Sequence, residues 1–188
     1  MKTDKNLIET PIDCEKIFDG NVVHLEKWNV FLPNGKHATR EVIRHVGASA
    51  VLAVNNNMEV TMVRQCRFAL GCVTLEIPAG KLNHKNDDPL EAAKRELSEE
   101  TGLAAKSWRH LTAIYTTVGF CDEKIDLYLA TDLVEGEAHC DEDEFLEVVT
   151  LPYQELVKMA VEGQISDAKT VCALLLSKQF LEKSQNSE

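Results

Sequence analysis

Residues 95–103 read Arg95-Glu96-Leu97-Ser98-Glu99-Glu100-Thr101-Gly102-Leu103, and three of these nine residues are glutamates. On a helix, Glu96 and Glu100 lie four residues apart and project from the same face, with Glu99 beside them. Carboxylates grouped in this way repel one another, and a hard divalent cation that binds oxygen ligands offsets the repulsion. Arg95 lies four residues from acids on both sides, at positions 91 and 99, and is predicted to brace the carboxylates. The alternative is a solvated charged helix face, which is the common fate of a lone Glu-Glu pair.

The same helix has clear start and stop signals on either side of the acidic residues. Asp88 can cap its first turn, Pro89 suits the first helical position, and Glu91 completes an Asp-x-x-Glu capping box. Gly102 stands where a left-handed residue ends a helix. The core-facing stripe follows spacings of three and four, and its members are Leu90, Ala93 and Leu97.

The overall composition is that of one folded domain with an acidic surface. The 188 residues are 44% apolar, which is enough to form a packed core. Acids outnumber bases by 31 to 20, and the net charge of −11 argues against nucleic acid as a partner. A small anionic substrate is still compatible, because clustered carboxylates recruit divalent cations that in turn bind phosphate.

The cysteines and the hydropathy pattern place the chain in the cytoplasm. Six cysteines, at positions 14, 66, 72, 121, 140 and 172, form no Cys-x-x-Cys pair and indicate neither a zinc site nor a disulfide framework. No apolar run approaches the length of a membrane span, and the polar first ten residues do not form a signal peptide. We therefore expect reduced thiols and no membrane partner.

The rest of the sequence consists mostly of short extended segments between turns. Residues 1–11 are predicted to be a loose leader, and Pro33-Asn34-Gly35 is a turn signal that predicts an N-terminal hairpin. Mixed strands with few helices predict an α+β fold. The predicted strands are 21–31, 39–46, 48–54, 60–64, 74–77, 111–116, 124–130 and 145–151, and the predicted later helices are 153–161 and 167–181.

The sequence from Gly80 to Leu103 resembles the Nudix box, which is Gly, five residues, Glu, seven residues, then Arg-Glu-aliphatic-any-Glu-Glu-any-Gly-aliphatic. All of residues 95–103 match, and so long a pattern is far more specific than a short glycine motif. Asp87 stands where the box has its first Glu, and six residues rather than five separate it from Gly80. The resemblance implies a Nudix-type α/β/α sandwich with a mixed sheet, to which the N-terminal antiparallel β hairpin region is added.

The resemblance also implies a metal site and its ligands. The residues equivalent to Glu96 and Glu100 bind metal directly, Glu99 binds directly or through water, and the backbone carbonyl of Ala79 joins them. The expected ion is Mg²⁺, with Mn²⁺ as a substitute. Such ions neutralise a diphosphate and lower the pKa of a bound water that attacks phosphorus.

Several further segments resemble the ADP-ribose pyrophosphatase branch of this family, in the same order along residues 18 to 181. One departure is Thr117-Val118-Gly119-Phe120, where relatives acting on ADP-ribose have Ser-Pro-Gly-Phe. This branch forms dimers by exchanging the N-terminal region, so we expect a homodimer with residues 1–46 exchanged and 47–188 as the hydrolase domain. The matching segments are 40–45, 63–68, 75–80, 119–123, 141–145 and 167–170.

Carried over to this chain, the branch assigns substrate contacts to residues outside the helix. Arg67 and Glu123 would contact the phosphates and the ribose, while Arg40 and Glu41 would reach the site of a neighbouring subunit. Trp28 could stack on adenine and Phe120 could flank it. The alternatives are alternating surface charges on a strand for Arg64 and Arg67 and a half-buried strand residue for Trp28. The six histidines show no ligand spacing.

The expected reaction is Mg²⁺-dependent hydrolysis of the pyrophosphate bond of a nucleoside diphosphate derivative. Within the acidic loop 135–144, Glu142 or Glu144 is the expected base, and Glu99 is the helix carboxylate with a direct part in catalysis. The first substrate is ADP-ribose, cleaved to AMP and ribose 5-phosphate, and nucleotide sugars or other linked diphosphates are the alternative. A non-catalytic ADP-ribose-binding module is a further alternative, although such modules typically lose box glutamates that this chain keeps.

Overall fold

The computed structural model describes residues 4–136 and 145–185. The chain divides into two compact units. We call the described parts of residues 1–46 and 115–124 the N-terminal unit, and the described parts of residues 47–114 and 125–188 the main unit.

The N-terminal unit is built on a three-stranded antiparallel sheet, β1 (Thr10–Asp19), β2 (His24–Phe31) and β3 (His37–Arg44), which follows a short 3₁₀ turn at Asp4–Asn6. The predicted hairpin is confirmed as β2 and β3, with Gly35 at a positive φ of 80° in the turn. Strand β1 was not predicted, and only its first two residues fall within the expected loose leader of residues 1–11. Its residues are exposed throughout and its register shifts twice, so it lacks the alternation by which strands are predicted.

Residues 115–124 belong to the N-terminal unit through backbone pairing with β3. Ile43 N donates to Phe120 O at 2.7 Å, and Asp122 N donates to Ile43 O at 3.1 Å. The Asp122 carboxylate also accepts from the backbone of His45 at 2.7 Å. The sequence grouped these ten residues with 47–188, because pairing between segments so far apart in the chain leaves no local signal.

The main unit contains a mixed sheet in the order β10-β5-β4-β9-β8, with β6 paired to β5 and β7 paired to β4. Strand β4 pairs with β9 in parallel and with β5 and β7 antiparallel, which confirms the predicted mixed sheet. The strands are β4 (Ala48–Val54), β5 (Glu59–Arg67), β6 (Cys72–Glu76), β7 (Ala79–Lys81), β8 (Leu103–Tyr115), β9 (Lys124–Glu135) and β10 (Leu146–Pro152).

Helices cover both faces of this sheet, as the predicted α/β/α sandwich requires. On one face Val51 and Ala53 of β4 pack with Leu97 of α1 (Pro89–Thr101). On the other face Leu52 packs in a core with residues of α2 (Tyr153–Val161) and α3 (Ala168–Gln185), including the buried Tyr153. Alternate side chains of β4 thus serve opposite faces. None of the helices in residues 4–136 and 145–185 is long and apolar enough to cross a membrane.

Candidate active site

Helix α1 has the boundaries that its capping residues predict. The Asp88 carboxylate accepts from the backbone of Leu90 at 2.9 Å, and Pro89 occupies the first turn. At the other end Gly102 adopts φ 68° and donates its N–H to Ser98 O. These caps fix where the helix begins and ends, and the buried Ala93 and Leu97 fix which side of it faces the sheet.

Two of the three predicted metal ligands are on the buried side of α1. Glu96 is 8% exposed and Glu100 is 5% exposed, and both lie in the same row as the buried Ala92. Charged side chains are rarely buried to this degree without partners. The backbone N–H of Ala79, on β7, donates to Glu100 at 3.3 Å.

The absence of a side chain at Gly80 leaves the space that the Glu96 carboxylate occupies. A Cβ built on Gly80 would collide with all three atoms of that carboxylate group, so any larger residue would displace it. Strand β7 carries Gly80 opposite Ser49 of β4, and the Ser49 hydroxyl donates to the backbone carbonyl of Pro89 at 2.6 Å. The first turn of α1 and the strand beneath it are thereby held together.

Arg95 contacts two of the carboxylates. Its guanidinium lies 2.6 Å from Glu96 and 2.8 Å from Glu99, and it also donates to the backbone carbonyl of Lys81 at 3.1 Å. The bracing role predicted from the spacing is therefore seen for Glu99. It is not seen for Glu91, which contacts Lys94 at 2.7 Å instead.

The donors around α1 suit a hard cation in their chemistry. All are oxygen atoms, from three carboxylates and the nearby Ala79–Gly80 backbone, and oxygen ligands are what Mg²⁺ selects. Within the described ranges, no three His, Cys, Asp or Glu side chains are already grouped as a metal site. Joint binding by Glu96 and Glu99 would require Arg95 to shift, because its guanidinium contacts both.

A second charged cluster in the main unit is centred on Glu76, at the end of β6. This carboxylate is 2% exposed and accepts from Arg67 through two bonds of 2.7 Å each, from Nε and Nη2. The hydroxyl of Thr74 donates at 2.5 Å, and Lys169 contributes a further bond. Burial alone would raise the pKa of Glu76, but the Arg67 hydrogen bonds and the charge of Lys169 outweigh burial and lower the pKa to about 2.

The start of α3 is joined to this cluster. Lys169 lies 3.0 Å from Asp167, whose other oxygen accepts from the backbone and hydroxyl of Thr170. The Thr170 hydroxyl in turn accepts from the backbone of Ile77 at 2.9 Å. The segment 167–170 therefore serves to cap α3 and to anchor it beside Glu76.

In the N-terminal unit, Trp28 is held by two charged neighbours. The Arg44 guanidinium lies over the indole ring, 5.6 Å from its centroid, and the indole N–H donates to Glu26 at 2.8 Å. Arg44 also donates to Glu26 at 2.8 Å and to Asp122 at 3.2 Å. Trp28 is thus half-buried, with its polar edge satisfied.

Arg40 and Glu41 point to opposite faces of the N-terminal sheet, because neighbouring residues of a strand alternate. Arg40 is the cross-strand partner of Trp28 and forms an ion pair with Glu9. Glu41 is exposed on the other face. The structure therefore brings Arg40, but not Glu41, to the face that carries Trp28.

The loop from Thr116 to Glu123 carries the remaining predicted substrate residues. Glu123 accepts from the Thr116 hydroxyl at 2.7 Å and lies 3.6 Å from His45. Phe120 is 52% exposed, and Val118, at the position of the missing proline, is 84% exposed. The loop is closed by Phe120 N and Cys121 N, which both donate to Thr117 O.

Comparison with known proteins agrees with this geometry. The family model described as the NUDIX domain matches residues 43–174, most of the chain. The chain belongs to the Nudix family. It is 44% identical to the ADP-ribose pyrophosphatase of Bacillus subtilis, over 90% of this chain and 92% of that protein. It is also 44% identical to the methanol dehydrogenase activator of Bacillus methanolicus, over 88% of this chain and 90% of that one.

A solved structure supports the fold. The crystal structure of an ADP compounds hydrolase superposes with a TM-score of 0.81 at 22% identity, over 94% of this chain and 95% of that one. Membership makes the protein a Nudix hydrolase acting on a nucleoside diphosphate derivative.

Asp87, where this chain departs from the Nudix box, has a local structural role. Its carboxylate accepts a hydrogen bond from His84 N at 2.7 Å and closes the loop before α1.

Some candidate site residues of this Nudix enzyme were not predicted from the sequence. The expected bases Glu142 and Glu144 lie outside the described residues. Glu76 and Lys169 were not singled out, although an acid inside the mostly apolar segment 73–79 is a signal in itself. Their contact joins positions 93 residues apart, which no local periodicity can reveal.

Proposed function

We propose that this Nudix hydrolase cleaves ADP-ribose to AMP and ribose 5-phosphate with Mg²⁺ as cofactor. Glu96, Glu99, Glu100 and the carbonyl of Ala79 would hold the metal. The observation that carries the proposal is the buried pair Glu96 and Glu100 on α1, packed against a glycine that leaves room for carboxylate oxygens. The named activity of the Bacillus subtilis relative supports ADP-ribose as the substrate.

The residues of the main unit suit the charges of a diphosphate. A bound Mg²⁺ or Mn²⁺ would neutralise phosphate oxygens and lower the pKa of the attacking water. Arg67, whose side chain is 42% exposed, offers a guanidinium to a phosphate. Glu142 or Glu144 takes the proton from the attacking water, whose oxygen bonds to phosphorus while the bridging oxygen leaves with the other phosphate.

The N-terminal unit carries groups that suit the nucleoside and the sugar. We assign adenine stacking to Trp28 and Phe120 and a ribose hydroxyl to Glu123. Arg40 and Glu41 are assigned to the site of a neighbouring subunit in a homodimer. A triphosphate lacks the second sugar and would leave such polar groups unpaired, which disfavours it by up to ~10⁴-fold.

A nucleotide sugar is the second candidate substrate. Val118 replaces a proline in the loop that presents Phe120, and it is almost fully exposed. Proline restricts φ, so a residue other than proline allows this loop a different backbone conformation. A different loop conformation would favour a different sugar in the substrate. A non-catalytic ADP-ribose-binding role is disfavoured because the box carboxylates are intact.

A substrate panel tests the assignment. The purified protein is assayed with ADP-ribose, a nucleotide sugar, a dinucleotide and a nucleoside triphosphate, each with Mg²⁺ and with EDTA, and products are identified by chromatography. ADP-ribose should give the highest kcat/KM and yield AMP, and EDTA should abolish turnover. A tenfold preference for another compound would overturn the substrate, and turnover undiminished by EDTA would overturn the metal.

A further inference from the structure

We propose that Glu76 is a positioning residue for Arg67, fixing the guanidinium in the orientation in which it meets a phosphate of the substrate. The inference rests on the proposed function, in which Arg67 binds the diphosphate. Glu76 itself contacts no substrate in this proposal.

The strand register places the two residues on one face of the β5–β6 hairpin. The cross-strand pairs run from Arg67–Cys72 through Gln65–Thr74 to Val63–Glu76, so these pairs share a face at a spacing of two residues. The Arg67 side chain therefore extends back along the hairpin, past Thr74, to reach the carboxylate. Thr74 donates to Glu76 Oε1 and so holds the acceptor in place.

The bonding pattern leaves part of the guanidinium for a ligand. Nε and Nη2 form one edge, and both are bonded to Glu76. Nη1 has no partner among the residues that the structure describes. Because a guanidinium is planar, fixing one edge also fixes the direction of the Nη1 donors.

The charges agree with a positioning role. Lys169 lies between Glu76 and Asp167, while Arg67 contacts Glu76 from the more exposed side. The Glu76 hydrogen bonds raise the pKa of Arg67, and the charge of Glu100 raises it further, so Arg67 lies within electrostatic reach of a proposed metal ligand. A residue that serves only to neutralise Lys169 would have no need of the bidentate bond to Arg67.

A double-mutant cycle tests whether Glu76 acts through Arg67. Wild type, Glu76→Gln, Arg67→Gln and the double variant are compared in kcat and KM for ADP-ribose. Glu76→Gln should lower kcat/KM by about tenfold in the wild-type background and by less than about twofold once Arg67 is absent. Equal losses in both backgrounds would overturn the proposal, because Glu76 would then act independently of Arg67.

The control is an ion pair between β5, the strand that carries Arg67, and the neighbouring β10. Arg64 of β5 contacts Glu147 at 2.5 Å, and both side chains are exposed. The matched cycle with Glu147→Gln and Arg64→Gln should leave kcat/KM within about twofold of wild type. A comparable loss in this cycle would mean that any ion pair on β5 affects turnover, and the specific role of Glu76 would be lost.

Two further measurements keep the outcome clear. If Glu76→Gln does not fold, Glu76→Asp keeps the charge but draws the carboxylate back, and it should reproduce the loss in a folded protein. The affinity of the same four proteins for ADP is measured by calorimetry in EDTA. The two substitutions should again be non-additive, and this measurement does not depend on kcat. A wild type that binds ADP but hydrolyses no diphosphate refutes the proposed function, whereas additive ADP affinities refute only the positioning role.

Discussion

Glu100 combines burial, a fixed backbone contact and a place in the acidic row of α1. Glu100→Gln preserves the shape of the side chain but removes its charge. We expect kcat to fall by at least ~10²-fold at saturating Mg²⁺, because one carboxylate fewer would neutralise the proposed metal ion. Glu91→Gln is the control, since Glu91 is exposed on the same helix and pairs with Lys94. Activity of Glu100→Gln within a few-fold of wild type would remove this helix from the mechanism.

Gly80 is a residue whose substitution should damage the site more than the fold. Gly80→Ala would place a methyl group against the Glu96 carboxylate, which is the end of a flexible side chain and can move away. We expect a stability loss near the lower end of the ~1–3 kcal/mol typical of overpacking, together with a loss of Mg²⁺-dependent turnover. Thermal unfolding and a Mg²⁺ titration of the rate measure the two effects. Gly119→Ala is the control for stability, because nothing lies within 4 Å of its Cβ.

Glu76 should also govern stability in acid. Its pKa is lowered from 4.5 to about 2 in the folded protein, so the stability that it contributes is present above pH 4.5 and is lost as the pH falls toward 2. Denaturant unfolding between pH 6 and pH 2 would show this loss in wild type. Glu76→Gln should be less stable at pH 6, and its free energy of unfolding should fall less steeply as the pH decreases from 4.5 to 2. An unchanged pH dependence would contradict the role of Glu76.

At the level of elements, the sequence predicted best where local signals agree. Helix α2 was predicted with the bounds that it has, and α1 begins and ends at its capping residues. Strand β7 has three residues, and the first half of β8 follows the capping Gly102 directly, with no loop between helix and strand. Both depend on pairing with distant strands rather than on their own residues, which is why they were missed.

The cap of α1 links an element to the chemistry that it carries. Asp88→Ala removes the acceptor for the Leu90 N–H, and we expect the free energy of unfolding to drop by ~0.5–2 kcal/mol. Asp88→Ser retains a capping oxygen and should restore most of that loss. Urea denaturation compares the two. Equal stability of both variants would mean that the cap contributes nothing beyond its backbone conformation.

For the whole molecule, the sequence located the acidic row but not its surroundings. The box spacing placed Glu96 and Glu100 on one face of a helix, and the structure shows them there. The spacing predicted the Arg95–Glu99 contact. It could not show that Arg95 also contacts Glu96, or that Arg67 is bound to an acid on the next strand. Such contacts depend on register and side-chain direction, which appear only once the sheet is assembled.

The N-terminal sheet gives reason to expect a homodimer. It exposes several large apolar side chains, and exposed apolar patches commonly mark protein–protein interfaces. They include Ile12, Ile17, Phe18 and Phe31.

Light scattering should therefore give twice the chain mass of 21.0 kDa. Ile17→Glu combined with Phe18→Glu should shift the protein to a monomer, because two charges cannot be buried unpaired in an apolar interface. Turnover of ADP-ribose should fall with the dimer, since Arg40 and Glu41 are assigned to the partner's site. Val161→Glu, at an exposed apolar position on α2, is the matched control and should stay dimeric and active. A wild-type monomer that is fully active at nanomolar concentration would exclude both the dimer and the shared site.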